Sequence, residues 1–232
     1  MIVKQFRYFT DNLGYLLYSG NKGAVIDAGG VDDILDFCRE NCIEITTITN
    51  THFHHDHISG NELLLEKTQA EFLDCRQIGS DQTIPVGDSV LTVFPTPGHT
   101  LDSVSFMADD FLITGDTLFN GTVGNCFSGD LLAFYHSLKR LISLPEKTKV
   151  YGGHDYVMES MKYAGIVEPD NPYIDTYIQN YSPALVVSTL EDELNVNPYV
   201  RFNAPAMIEN LRRRKIDANG EFERFKAIMK IY

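Results

Sequence analysis

Residues 51–60 read THFHHDHISG, which sets four histidines and an aspartate between positions 52 and 57, directly after the alternating run EITTITN of residues 44–50. An alternating run is a strand with one buried face, and in an extended chain residues i and i+2 project to the same side. His52 and His54 therefore aim two imidazoles at one point. Asp56 and His57 come where the chain has begun to turn into a helix, so they project in another direction from nearly the same backbone position. Two neighbouring metal sites account for this arrangement. Imidazole and carboxylate suit zinc, iron and manganese, and a catalytic zinc takes about three protein ligands and keeps one position open.

Two metals need more donors than one segment supplies. The sequence offers three, each after an expected strand: His99 in PGHT after VLTVF, Asp116 in TGD after FLIT, and His154 in GGHD after KVYG. Strand ends on one edge of a sheet converge, and the flanking glycines permit tight turns. The candidate ligand set is thus His52, His54, Asp56, His57, His99, Asp116 and His154. His55 and His136 are left out as surface residues; His136 falls between the apolar positions Leu131, Phe134, Tyr135 and Leu138 of a helix expected over 129–143.

The rest of the first two thirds alternates strands with helices. YLLY and AVID flank the turn-like SGNKG, which predicts a hairpin. Val31, Ile34, Leu35 and Cys38 give one apolar helix face, with Asp32 and Asp33 at its positive end. Ser59 and Glu62 have capping-box spacing ahead of ELLLEK. SVSFM is a further strand. After about residue 158 the pattern turns helical, with ALVV alone resembling a strand. Two parts are expected, a sheet-and-helix domain over 1–160 and a smaller helical extension over 161–232. Tyr173, Tyr177 and Tyr181, four apart, mark the face that packs the extension onto the domain, and Cys38 and Cys42 read as apolar-face residues.

A chain of 232 residues with 44% hydrophobic side chains can bury a full core. Its 19 basic against 32 acidic residues leave a net charge of -13, which repels a phosphate polymer, so nucleic acid is not an expected partner. No apolar run approaches the roughly 18 residues of a membrane span, and no basic segment followed by an apolar one opens the sequence, so a cytoplasmic protein away from membranes is expected. Four cysteines without a CxxC pair predict reduced thiols rather than a disulfide framework.

HxHxDH followed by PGHT, GDT and GH resembles the metallo-β-lactamase superfamily. Within it the chain looks most like glyoxalase II, the hydroxyacylglutathione hydrolases. DNLGYLLY, VIDAG, GDTLF and GHDYVMESMKYA resemble the blocks of the main domain, and STLEDELNVNPYVR is similar to the helical extension of that group. The resemblance implies an α+β fold, a four-layer αββα sandwich with a two-metal site at one edge and a C-terminal helical extension. It implies two divalent ions per chain, zinc, iron or manganese, one held by His52, His54 and His99 and the other by Asp56, His57 and His154. Asp116 would bridge them, and Asp56 and Asp116 would be the catalytic carboxylates. The implied reaction is hydrolysis of a small-molecule thioester, S-(2-hydroxyacyl)glutathione such as S-lactoylglutathione, by a metal-ionised water, with a thiolate leaving.

For the substrate, Arg212 and Lys215 in NLRRRK match a basic pair that reaches the glycine carboxylate of glutathione in the family, and Tyr156 matches a tyrosine near the same tail. Asn125 and Phe127 in GNCFSG occupy positions of further contacts. Here the sequence departs from the family, because Asn125 stands in a basic place, Cys126 in an aromatic one, and Asp102 where PGHT is commonly followed by threonine or serine. These departures leave open another acyl-thiol. A one-iron persulfide dioxygenase and a non-catalytic metal-binding protein are the alternatives of other classes.

Overall fold

Two β-sheets lie face to face because their strands carry apolar side chains on both sides. The computed structural model describes residues 1–79, 82–216 and 218–231. One sheet holds β1 (Ile2–Tyr8), β2 (Asn12–Ser19), β3 (Lys22–Ile26), β4 (Glu44–Thr49) and β5 (Glu71–Leu73), adjacent in that order. The other holds β6 (Thr83–Val86), β7 (Ser89–Pro95), β8 (Val104–Ala108), β9 (Phe111–Gly115), β10 (Lys149–Gly152) and β11 (Ser188–Thr189), also in sequence order across the sheet.

Period two decides which core each side chain enters. Leu13, Tyr15 and Leu17 of β2 meet Phe106 of β8 and Ile113 of β9 between the sheets. The intervening Leu16, with Val25 of β3, packs beneath α1 (Val31–Glu40) and α3 (Asn61–Lys67) through Ile34, Cys38 and Leu64. On the far side, Leu112 and Val150 pack beneath α4 (Leu131–Ile142) through Phe134 and Leu138. The result is the four-layer αββα sandwich expected from the family resemblance.

The hairpin, the first helix and the strands VLTVF, SVSFM, FLIT and KVYG fold as their patterns predict. Three local expectations need correction. Ser59 does not cap α3: the four-residue helix α2 (His55–Ile58) intervenes, Gly60 is the N-cap, and the Ser59 hydroxyl turns back to the Asp56 carbonyl. ALVV is not a strand, because Val186 makes its backbone hydrogen bonds to the Gln5 side chain rather than to a neighbouring ladder. Cys42 is exposed beyond the end of α1, at φ 54°, not on its apolar face.

The extension comprises α5 (Val157–Val167), α6 (Ile174–Asn180), α7 (Leu190–Val196), α8 (Pro205–Arg213) and α9 (Glu221–Ile231). Helix α5 runs straight through the boundary expected at 160/161. Phe202, Met207, Leu211, Phe225 and Ile228 share one core with Phe134 and Leu138 of α4. Tyr177 and Tyr181 pack against the inter-sheet core, while Tyr173 is exposed.

A buried carboxylate ties the extension to the loop after β9. Glu193 accepts from the Gly121 amide (2.8 Å), Asn197 (2.8 Å), Tyr177 (2.8 Å) and Ser188 (2.7 Å), and Asn197 also donates to the Thr122 carbonyl. Complete burial raises the Glu193 pKa, and these four donors offset much of that cost. Among the described residues no helix is long and apolar enough to cross a membrane.

Candidate metal centre

All seven candidate ligands meet at one edge of the sandwich. His52 follows β4, Asp56 and His57 lie on α2, and His99, Asp116 and His154 follow β7, β9 and β10, whose C-terminal ends share that edge. The two sheets are stitched there by Val104 N–H to the Thr51 carbonyl (2.8 Å) and Leu13 N–H to the Gly153 carbonyl (2.8 Å). Gly115 delivers Asp116: its φ of +50° is left-handed, and a Cβ on it would lie 2.5 Å from that of Thr51, so only glycine fits the turn.

The donors fall into three overlapping groups: His52, His54 and His99; His52, His57 and Asp116; and Asp56, His57 and His154. His54 Nδ1 lies 2.9 Å from His52 Nε2 and 3.1 Å from His99 Nε2. His57 Nε2 lies 3.3 Å from Asp116 Oδ1 and 3.6 Å from Asp56 Oδ2, and His154 Nε2 lies 3.4 Å and 3.5 Å from Asp56 Oδ2 and Asp116 Oδ2. Ligands at about 2.0–2.1 Å around a tetrahedral ion stand about 3.3 Å from each other, so these gaps are of ligand–ligand size.

The partners of the other ring nitrogens fix the tautomers. His57 Nδ1 donates to Asp27 (3.0 Å), His154 Nδ1 to Asp11 (2.8 Å) and His99 Nδ1 to the Asn125 carbonyl (2.9 Å). The Thr51 hydroxyl donates to Asp27 (2.8 Å), so it accepts from His52 Nδ1 (3.1 Å). Each of these imidazoles, when neutral, therefore points a bare Nε2 lone pair into the cluster, where lone pairs face lone pairs and carboxylate oxygens. His57 Nε2 and Asp116 Oδ1 are buried without a hydrogen-bond partner. Such an arrangement fits divalent cations, which satisfy every donor at once.

Charge balance agrees. Burial lowers the His52 pKa to about 2 and also lowers that of His99, so both stay neutral. Burial works against a charged His57 too, but Asp27 and Asp116 outweigh it and raise its pKa well above the usual 6.5. For Asp116, burial is overcome by His57 and His154, which hold its pKa well below the ordinary carboxylate value. Without an ion, the acidic half of the cluster draws in a proton; a divalent cation replaces it and supplies more charge.

Two family signatures divide the chain. The metallo-beta-lactamase superfamily signature matches residues 9–71 and 73–154, and that of the hydroxyacylglutathione hydrolase C-terminus matches residues 155–230. The chain belongs to the metallo-beta-lactamase superfamily. Curated superfamily relatives named hydroxyacylglutathione hydrolase include one from Pseudoalteromonas translucida, 30% identical with 98% of this chain and 97% of the relative covered. Another, from Chromohalobacter salexigens, is 32% identical with 88% of each covered. Among solved structures, that of ETHE1 from Myxococcus xanthus superposes with a TM-score of 0.73 at 27% identity, covering 99% of this chain and 90% of the other. The hydrolase character, the metal-binding cluster and the glyoxalase II-like extension thus all belong to this superfamily member.

A cavity of about 530 Å³ opens over the superfamily's metal edge, lined by His54, Asp56, His99, Asp116 and His154. Of the expected substrate contacts, Tyr156, Asn125 and Phe127 line it. Tyr156 stacks on His154 (centroids 5.1 Å, planes 5° apart), and burial raises its hydroxyl pKa to about 12. Phe127 lies edge-on to His54 and His99.

Arg212 and Lys215 do not join them. They line a separate hollow with Ile208, Leu211 and Ile216, and Arg212 pairs with Glu209 at 2.9 Å. The reason is packing: Met207 and Leu211 turn the apolar face of α8 into the core, which leaves Arg212 outside, and the helix ends at Arg213, before Lys215.

Asp11, Asn12, Asp27 and Thr51 are functional neighbours that the sequence reading missed. Asn12 donates to Asp56 at 2.8 Å. Asp27 had a signal, since it follows a strand in VIDAG just as the ligands follow theirs, and it sits at φ 58°, where Asp is better tolerated than most residues.

Proposed function

We propose that this chain is a binuclear-metal thiolester hydrolase acting on 2-hydroxyacyl thiolesters, S-(2-hydroxyacyl)glutathione being the substrate class that the curated relatives' name supplies. The observation that carries the reading is the pair of donor groups at the foot of the cavity, one built on His52, His54 and His99 and one on Asp56, His57 and His154, with Asp116 facing members of both. The chemistry supplied by divalent cations bound there is Lewis acidity, which polarises a carbonyl and acidifies water.

The chain's own residues do the rest. Asp27, Asp11 and the Asn125 carbonyl hold three imidazoles in register, so that each Nε2 faces the centre. Asp116 sets negative charge between the donor groups, and Asp56, fixed by Asn12, sets it within the second. Phe119, Phe127 and Tyr156, with Val123, Val167 and Pro198, give the cavity wall its apolar part, against which the acyl group is shielded from water. A departing thiolate, with a pKa near about 8.5, needs no strong general acid, which suits a wall whose Tyr156 hydroxyl is a poor proton donor.

Metal analysis combined with a thioester panel tests this reading. About two ions per chain and turnover of lactoylglutathione or related acyl-thiols are expected, with turnover abolished in His54→Ala. Fully metal-loaded protein inert toward every thioester would refute it. One iron per chain with oxygen uptake on glutathione persulfide would replace it by a dioxygenase.

A further inference from the structure

The part of the cavity wall that the metal ligands do not form is rich in hydroxyls, and its one charged side chain is that of Glu159. Glu159 lines it together with Thr122, Tyr156, Ser160, Tyr163 and Tyr199. No Lys or Arg is among the described residues that line it, and the four residues outside the description, Ser80, Asp81, Asp217 and Tyr232, are not basic either. The basic side chains of the extension lie outside this wall. Arg201 forks onto Glu168 (2.7 and 3.0 Å), Arg212 and Arg213 pair with Glu209, and the exposed Lys162 on α5 does not line the cavity.

Glutathione carries two carboxylates, and a site built for them places cations or free amide groups opposite. The one helix start at this wall is that of α5, and Glu159 stands in its first turn, where a carboxylate side chain offsets the partial positive charge that otherwise attracts an anion. Asn125 adds an amide on the same wall.

We infer that the thiol half of the substrate presents no free carboxylate to this wall: the cavity takes a neutral, amide- or hydroxyl-bearing thiol, or one with a cationic group facing Glu159. The inference rests on the thiolester-hydrolase reading but departs from it over the carrier, replacing glutathione by a thiol without free carboxylates; the acyl half and the metal centre are unaffected.

The decisive experiment compares substrates that share one acyl group and differ in the charge of the thiol half. Metal-loaded protein is assayed on S-lactoylglutathione, on its diethyl ester, in which both carboxylates are masked, and on lactoylthiocholine, whose quaternary ammonium is permanently charged. The diester is expected to exceed the free acid in kcat/KM by roughly tenfold, mainly through KM, and added salt is expected to narrow the gap. Glu159→Lys is expected to raise kcat/KM for S-lactoylglutathione roughly fivefold and to lower it for lactoylthiocholine, with Glu159→Gln in between. Equal or better turnover of the free acid than of the diester, or a Glu159→Lys variant that leaves the ranking unchanged, overturns the inference while the hydrolase reading stands. Failure on all three esters refutes the hydrolase reading, and this inference with it.

Discussion

Gly153 is the position where one added carbon tests the metal geometry most directly. A Cβ there would lie 2.2 Å from Asp116 Oδ1 and 2.9 Å from His57 Cε1. The backbone of Gly153 cannot easily retreat, because its amide donates to Gly115 (2.9 Å) and its carbonyl accepts from Leu13 (2.8 Å). The Asp116 carboxylate must therefore yield, by about 1 Å to reach an ordinary contact. That displacement moves Oδ1 from its place opposite His57 and carries with it Oδ2, which faces His154.

A 1 Å error at a reacting centre costs about a hundredfold in rate, and overpacking a tight site costs about 1–3 kcal/mol. For a chain of this length each kcal/mol is worth about 2–4 °C in Tm. Gly153→Ala is accordingly expected to bind less metal after desalting, to lose about two orders of magnitude in kcat/KM, and to melt several degrees lower. Gly165→Ala is the control. Nothing lies within 4 Å of the added carbon in the last turn of α5, so that variant is expected to keep its metal and gain up to about 1 kcal/mol. Gly153→Ala retaining its metal and activity within about threefold of the parent would refute the reasoning.

Asp27→Asn keeps the shape but puts an amide where oxygen accepts from Thr51 and His57; affinity at the Asp56, His57 and His154 site is expected to fall about 10–100-fold in a metal titration, and unchanged binding would remove Asp27 from the site's support. Glu221, hydrogen-bonded chiefly by Lys139, has a folded pKa of about 2, below its unfolded value, so this contact stabilises the protein above the unfolded pKa and is lost as pH falls toward 2. Lys139→Met is expected to lower stability near neutrality and to flatten its decline between pH 5 and pH 3, as followed by urea denaturation; an undiminished acid slope would show that the pair is not responsible.

The metal ligands were legible because both properties that define them are local. Donor chemistry is written in the residue type, and a position at the end of an alternating run is written in the pattern, so His52, His99, Asp116 and His154 could be read before any fold was known. The sandwich was implied by the same motifs. Edge strands were less visible: β1 is half exposed and carries Lys4 and Arg7 in its run, which blurs the alternation that marks a buried strand.

What local pattern could not decide was anything that depends on which distant face turns inward. Helical spacing places Arg212 near Lys215, but Met207 and Leu211 docking against the core under α4 determines that the basic end of α8 opens onto another hollow. Asp11 and Asp27 look like ordinary loop aspartates until β2 and β3 bring them behind His154 and His57. Composition and motif thus named the donors, whereas the partners that orient them, and the charge of the wall that meets the substrate, come from contacts between residues distant in sequence, from 26 positions for His99 and Asn125 to 143 for His154 and Asp11, which only packing brings together.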